Sequence, residues 1–153
     1  MPIRRIVSGG QTGVDRAALD VAMVLGIGCG GWCPKGRLAE DGPLSRNYPL
    51  KETPSSLYAE RTEWNVRDSD ATLVLTWGPP ADGTAFTIDM TRKHGKPVRV
   101  VDLETKDTTP EQVEQWLAEN RVYTLNVAGP RESKCPGIYH DACAFLEALF
   151  SRF

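Results

Sequence analysis

A chain of 153 residues with 41% hydrophobic and 25% charged residues has the size of one ordinary domain and the composition of a globular one. This excludes wholesale disorder and leaves too little chain for two well-cored domains. Eighteen Lys and Arg against twenty Asp and Glu give a net charge of -2, so no overall basic field exists to hold a nucleic-acid backbone, and nucleic acid is not an expected partner. The most apolar stretch, residues 17–27, is interrupted by Asp20 and falls short of the roughly 20 apolar residues that a membrane span needs. With no secretory signal at its start, the expectation is a cytoplasmic protein without membrane contact.

Short apolar runs alternate with longer segments of helical period, which predicts the α/β class: a single three-layer domain with a mainly parallel five-stranded sheet and helices on both faces. A strand is expected over residues 3–7 and a glycine-rich turn over 8–13. A helix follows over about 14–25, where Val14, Ala17, Ala18, Val21, Ala22 and Leu25 share one face. A short strand near 27–31 leads through Trp32-Cys33-Pro34-Lys35-Gly36-Arg37 into an irregular loop to about Pro54, and loops of that length are usually functional or mobile. Residues 56–67 read as a helix, 71–77 as a buried strand, and about 84–93 as a helix closed by Gly95 in a left-handed cap with Pro97 beyond it. A fourth strand spans about 97–101. Thr108-Thr109-Pro110-Glu111 supplies a cap and a first-turn proline for a helix to Asn120, a fifth strand covers 123–127, and a last helix starts near Gly137.

Three of the turns carry chemistry. Gly9-Gly10-Gln11-Thr12-Gly13 lies between a strand and a helix, where glycines permit close backbone approach and the N–H groups of a helix start attract anions, phosphate above all. It is neither a P-loop nor a G-x-G-x-x-G turn, and a tight turn with a helix cap is the plain alternative. Asp15 in the first helical turn suits the helix dipole but repels phosphate, so its carboxylate is placed to accept hydrogen bonds from a ribose or a heterocycle. Gly83-Thr84-Ala85-Phe86-Thr87 repeats the arrangement after the third strand, with the hydroxyls of Thr84 and Thr87 on one helical side. Gly129-Pro130-Arg131-Glu132-Ser133 follows the fifth strand and carries a guanidinium able to grip phosphate at two points. In an open α/β sheet, ligands bind beyond the carboxyl ends of the strands, so all three turns are expected on the ligand side.

Lys35 and Arg37 either complete a positive pocket at the same edge or form a solvated basic loop. Trp32 and Trp77 stand near strand ends, where an indole stacks on a ring or plugs the core; Trp64 and Trp116 read as core. Arg61, Asn65 and Arg67 can face the ligand from one helix, although Arg61 can equally pair with Glu60, Glu63 or Asp68. No nucleophile with a base partner is evident, and Asp15 and Glu132 are the best acid–base candidates. Asp82 reads as a helix cap, and Asp89 as a solvated helical residue. Cys29, Cys33, Cys135 and Cys143 match neither a C-x-x-C pair nor a zinc-finger spacing. Reduced thiols are therefore expected, with no metal held by the protein. His94 and His140 lack a partner at helical spacing and read as solvated or capping residues.

The blocks 6–18, Gly31-Trp32-Cys33-Pro34-Lys35-Gly36-Arg37, 65–72, and Gly129-Pro130-Arg131-Glu132-Ser133 with Pro136-Gly137-Ile138-Tyr139 together resemble the putative molybdenum carrier family over essentially the whole chain. That family is similar to a wider Rossmann-like group containing the molybdenum cofactor carriers, the phosphoribohydrolases once called lysine decarboxylases, and the DNA-processing protein A. In those relatives the turn resembling Gly129-Pro130-Arg131 comes first in the chain, so the resemblance implies a circular permutation and a strand order of second, first, fifth, third, fourth. Likeness to the DNA-processing protein lies in the core fold alone. The phosphoribohydrolases carry a glutamate where this chain has Thr87, so their mechanism lacks its acid here unless Asp15 or Glu132 replaces it. The resemblance implies a carrier for a phosphorylated heterocycle, molybdenum cofactor (molybdopterin) or a related nucleotide, with the metal held by the cofactor's own sulfurs. A molybdoenzyme recipient and homo-oligomers paired through helices are implied as partners. A nucleotide-processing hydrolase and a nucleotide sensor are the alternatives.

Overall fold

A computed structural model describes residues 3–153. The elements are β1 (Arg5–Val7), α1 (Val14–Val24), β2 (Cys29–Gly30), β3 (Trp32–Cys33), β4 (Lys51–Glu52), α2 (Tyr58–Arg67), β5 (Ala71–Thr76), α3 (Asp82–Lys93), β6 (Val98–Asp102), α4 (Pro110–Glu119), β7 (Thr124–Ala128) and α5 (Ile138–Phe150). Five of the strands form one sheet in the order β2-β1-β7-β5-β6, every pairing parallel. The chain's last strand thus inserts at the centre, as the permuted order requires. The register sets Ile6 beside Leu125 and Leu125 beside Ala71, which aligns the loops after β1, β7 and β5 at one edge.

One face of the sheet is covered by α1, α4 and α5. Val14, Ala17, Ala18 and Val21 of α1 and Ile138, Ala142, Leu146 and Leu149 of α5 enclose Leu73, Leu75, Leu125 and Val127, with Val113 and Leu117 of α4 closing the layer. These positions recur at helical spacing, so burial of one apolar stripe fixes each helix. On the opposite face α2 packs against α3. Thr109 accepts from the Gln112 N–H while Gln112 reaches back to the Thr109 N–H, a reciprocal cap that starts α4. Gly95 takes the left-handed conformation just past α3, as its position after Lys93 predicts.

Several elements differ from expectation. The loop after β2 contains β3 and β4, a separate two-stranded parallel pair. The Lys51 N–H donates to the Gly31 carbonyl and the Thr53 N–H to that of Cys33, pairings between distant residues with no apolar alternation to announce them. Leu25 ends α1 instead of joining its buried face and is 41% exposed. Asp82 is not a cap: Ala81 holds that position and no side chain caps α3, while the Asp82 carboxylate meets Lys134 Nζ at 3.3 Å. His94, by contrast, takes one of its two expected roles as the C-cap residue of α3, and its Nε2 lies 2.8 Å from Glu63. Trp64 is half-buried against Trp32, their rings edge to face at 4.8 Å. Among the described residues no helix is long and apolar enough to cross a membrane.

Candidate functional site

The parallel strands all deliver their loops to one edge, and there a cleft of about 530 Å³ opens between α2 and α3. Gly9, Gln11 and Asp15 come from the turn after β1 and the start of α1; Gly83, Thr84 and Thr87 come from α3; Gly129 and Arg131 come from the turn after β7. The three turns singled out in the sequence therefore share one cleft. Tyr58, Arg61, Thr62 and Asn65 of α2 form the opposing wall, with Thr76 and Asn126 contributed by the sheet and Trp77 and Phe86 near the mouth.

The cleft's most buried charges are Asp15 and Arg61, with side chains 9% and 10% exposed. Arg61 Nη1 donates to Asp15 Oδ2 at 3.3 Å, so Arg61 pairs with this distant carboxylate rather than with Glu60, Glu63 or Asp68. The guanidinium lies over the Tyr58 ring, 5.2 Å from its centre, and crosses the backbone at Gly9, where an added Cβ would stand 2.0 Å from Arg61 Nη1. Glycine at position 9 is thus required for the arginine to reach its partner. Burial pushes the Asp15 carboxyl up to about 6, against the opposing pull of Arg61, the Gln11 N–H, Arg16 and the Gly129 N–H. The Gln11 N–H is thus turned toward a carboxylate of the protein itself. The N–H groups of Gly10, Thr12 and Val14 are satisfied by Ser8 Oγ, Gln11 Oε1 and the Pro130 carbonyl.

A raised carboxyl pKa makes the protonated form the one that folding favours. Its contribution to stability is complete below about pH 4 and is lost as pH rises through about 6, a span worth about 3 kcal/mol. Asp15→Asn cannot ionise, so the stability of the wild type relative to this variant should fall across that window. Urea unfolding of both proteins at several pH values checks this, and parallel profiles would refute the assignment.

The mouth of the cleft is built differently. The Arg131 carbonyl accepts from the N–H groups of Lys134 and Cys135, whereas its guanidinium makes no direct hydrogen bond or ion pair with another described residue and acts on the Glu40 carboxylate only through its charge. Lys134, three residues further on, lines the same cleft and pairs with Asp82 at the first turn of α3, which begins without a side-chain cap. Thr84 is 6% exposed, and no described residue bonds its hydroxyl. Since no fully occluded side-chain N or O among the described residues lacks a partner, that hydroxyl is open to the cleft. Thr87 instead donates to the Gly83 carbonyl.

Of the remaining predicted residues, Asn65 and Trp77 line the cleft and the others lie outside its lining. Thr12 donates to Glu40, whose carboxylate also accepts from the Ser133 N–H at 3.1 Å and from the Ser133 hydroxyl. Burial alone would raise Glu40, but the bonds from Ser133 and Thr12 hold it below the usual carboxylate range. Glu132 accepts from the N–H groups of Gly137 and Tyr139 at 2.6 and 3.0 Å, capping the start of α5. Gly13 and Gly10 lie behind the turn, where an added Cβ would meet the Pro130 carbonyl and Leu44 respectively. Arg37 donates to the carbonyls of Leu44, Ser45, Tyr48 and Leu50, fastening the long loop to itself, and Lys35 is exposed. Arg67 pairs with Asp68 on the surface, whereas Asn65 holds the backbone of Trp32. The Trp32 indole donates to Asp68 and that of Trp77 to Asp141.

Sequence reasoning passed over Asn126, Thr76, Thr62, Tyr58 and Lys134. For Asn126 a signal existed: an amide in the middle of the apolar run 123–127. No group of three or more His, Cys, Asp or Glu among the described residues is placed to hold a metal.

A family model described as the circularly permutated YpsA SLOG family matches residues 6–150. The chain is also similar to a solved structure from Syntrophus aciditrophicus named "Putative molybdenum carrier protein". The two are 43% identical, the match covers 96% of this chain and 94% of that one, and the TM-score is 0.91. No curated protein gives a significant match.

Proposed function

We propose that this chain, which belongs to the circularly permutated YpsA SLOG family, binds and carries a small phosphorylated heterocycle in the cleft between α2 and α3. The observation that supports this best is the mouth of the cleft, where the guanidinium of Arg131, in no direct hydrogen bond or ion pair with another described residue, lines the same cleft as the uncapped start of α3 and the open hydroxyl of Thr84. Fixed N–H donors, a hydroxyl and a bidentate cation are the donor set that phosphate calls for. A cavity of about 530 Å³ is of the size that encloses a nucleotide or a pterin phosphate.

Molybdenum cofactor is the ligand that the neighbour's name suggests, and the donor set fits it. Arg131, Lys134, Gly83 and Thr84 would hold its phosphate, and Tyr58, Trp77 and Phe86 offer flat apolar surface to its ring. The cofactor's own sulfurs would hold the metal. The protein's part is to bind, orient and exclude water. A carrier of this cargo calls for a molybdoenzyme apoprotein as recipient.

Native mass spectrometry of anaerobically purified protein, followed by denaturation and identification of what is released, tests the reading. A pterin phosphate with stoichiometric molybdenum, or an intact nucleotide, is the expected result, and Arg131→Ala should weaken binding by about tenfold or more, the scale of one charge-assisted contact. A protein that binds no phosphorylated compound would overturn it. Asp15 favours a second reading, hydrolysis of a bound nucleotide, because a cleft carboxyl near 6 is suited to proton transfer at neutral pH. Turnover of nucleotides by the pure protein, abolished in a folded Asp15→Asn variant, would establish that activity.

A further inference from the structure

β7 is the central strand, and its buried residues Leu125 and Val127 point into the core beneath α1 and α5. Asn126 lies between them and, by strand alternation, faces the opposite side, where it is 3% exposed and lines the cleft. Its Nδ2 donates to Thr72 Oγ1 on β5 at 3.2 Å. No described residue donates to its Oδ1, and no fully occluded side-chain oxygen among the described residues lacks a partner. The Oδ1 atom is therefore open, and the cleft is the space it opens on.

The chemistry of this floor differs from that of the mouth. Arg131 and Lys134 suit an anion, and Gln11 adds further donors. Its Oε1 accepts from the Thr12 and Glu40 N–H groups at 3.1 and 2.8 Å, which fixes the amide and turns its NH₂ away from both. The carboxylates that line the cleft are engaged, Asp15 by Arg61 and Asp82 by Lys134. Asn126 Oδ1 is thus an uncharged acceptor deep in a cleft whose mouth is cationic. A phosphate gains nothing from it, whereas a ring N–H or exocyclic amino group does.

We propose that Asn126 forms a ring-edge subsite: its Oδ1 accepts a hydrogen bond from a ring N–H or amino group of the ligand, and so orients the heterocycle inward with its phosphate at Arg131. This assignment rests on the binding function proposed above. Asn126 is then a specificity-determining residue, read out in discrimination between rings rather than in phosphate affinity.

Titration calorimetry with AMP, IMP, GMP, purine riboside 5′-monophosphate and ribose 5-phosphate tests it. The first three carry edge donors, and purine riboside 5′-monophosphate carries none. At least one of the three should bind the wild type roughly tenfold tighter than purine riboside 5′-monophosphate, the scale of one hydrogen bond. Asn126→Ala should erase that preference and leave ribose 5-phosphate affinity unchanged. Because this change orphans the Thr72 hydroxyl, a second protein with Thr72→Val and Asn126→Val removes both partners together, and it should behave alike. A preference that survives in the folded variants, or a parallel loss of ribose 5-phosphate affinity, overturns the subsite. Failure of the wild type to bind any of the five probes overturns the subsite, whereas the phosphate-binding reading stands or falls on the compound released in the mass-spectrometric experiment above.

Discussion

Replacing Gly129 by alanine is expected to remove about 3 kcal/mol or more of stability, at the upper end of what overpacking costs. An added Cβ would stand 2.2 Å from the Leu75 carbonyl oxygen and within 2.6 to 2.8 Å of Val14. Leu75 belongs to β5, whose backbone is held by β6 and β7 on its two sides, and Val14 is fully buried at the start of α1. Neither can withdraw without breaking a ladder or opening the core. Gly13 is expected to behave alike, because its φ of +76 is left-handed and its Cβ would meet the Pro130 carbonyl at 2.3 Å. Two controls separate this from a generic loss of glycine. Gly26 has a left-handed φ but open space around it, so Gly26→Ala should cost only about 1–2 kcal/mol. Gly83 has open space and no positive φ, so Gly83→Ala inside α3 should be neutral or stabilising by up to about 1 kcal/mol. Urea unfolding of the four variants gives the ranking, and equal losses at all four positions would contradict the crossing of backbones described here.

That crossing explains why the sequence was more informative about the fold than about the site. Apolar periodicity located the helices and the five sheet strands because each buries a stripe or a run whose spacing is local. Glycine-rich turns were equally visible, but their jobs were not. Gly9 makes way for a side chain from α2, Gly13 and Gly129 make way for backbone from distant elements, and the sequence spells all of these with the same letter. Glu132 has the residue type of a general acid, yet in space it caps α5. Arg37 has the charge of a phosphate ligand, yet four carbonyls of its own loop surround it. Both assignments depend on which backbone groups lack partners, a property of the folded chain. Asn126 was legible in principle, since an amide in the middle of a central strand contradicts the strand's own apolar pattern.

Arg61→Met should cost about 3–5 kcal/mol at about pH 8, because it leaves the Asp15 carboxylate buried without its counter-charge. The loss should shrink at about pH 5, and the direction follows from the proton. Asp15 already sits near 6 because burial outweighs the help of Arg61; without the guanidinium its pKa rises further. A group whose folded pKa lies above its unfolded value contributes stability in its protonated form, and that contribution is lost as pH rises through the folded pKa. In the variant this decline starts at the same unfolded pKa but continues to a higher folded pKa, so it runs further than in the wild type. Adding Asp15→Asn to Arg61→Met removes the orphaned charge and should restore part of the stability at about pH 8 while changing little at about pH 5. The coupling from this double-mutant cycle isolates the pair from the packing of the arginine stem against Tyr58 and Gly9. A loss independent of pH, with no rescue by Asp15→Asn, would assign Arg61 to packing alone. A pH-dependent loss with rescue would establish the buried pair as a charge interaction held at the cleft wall.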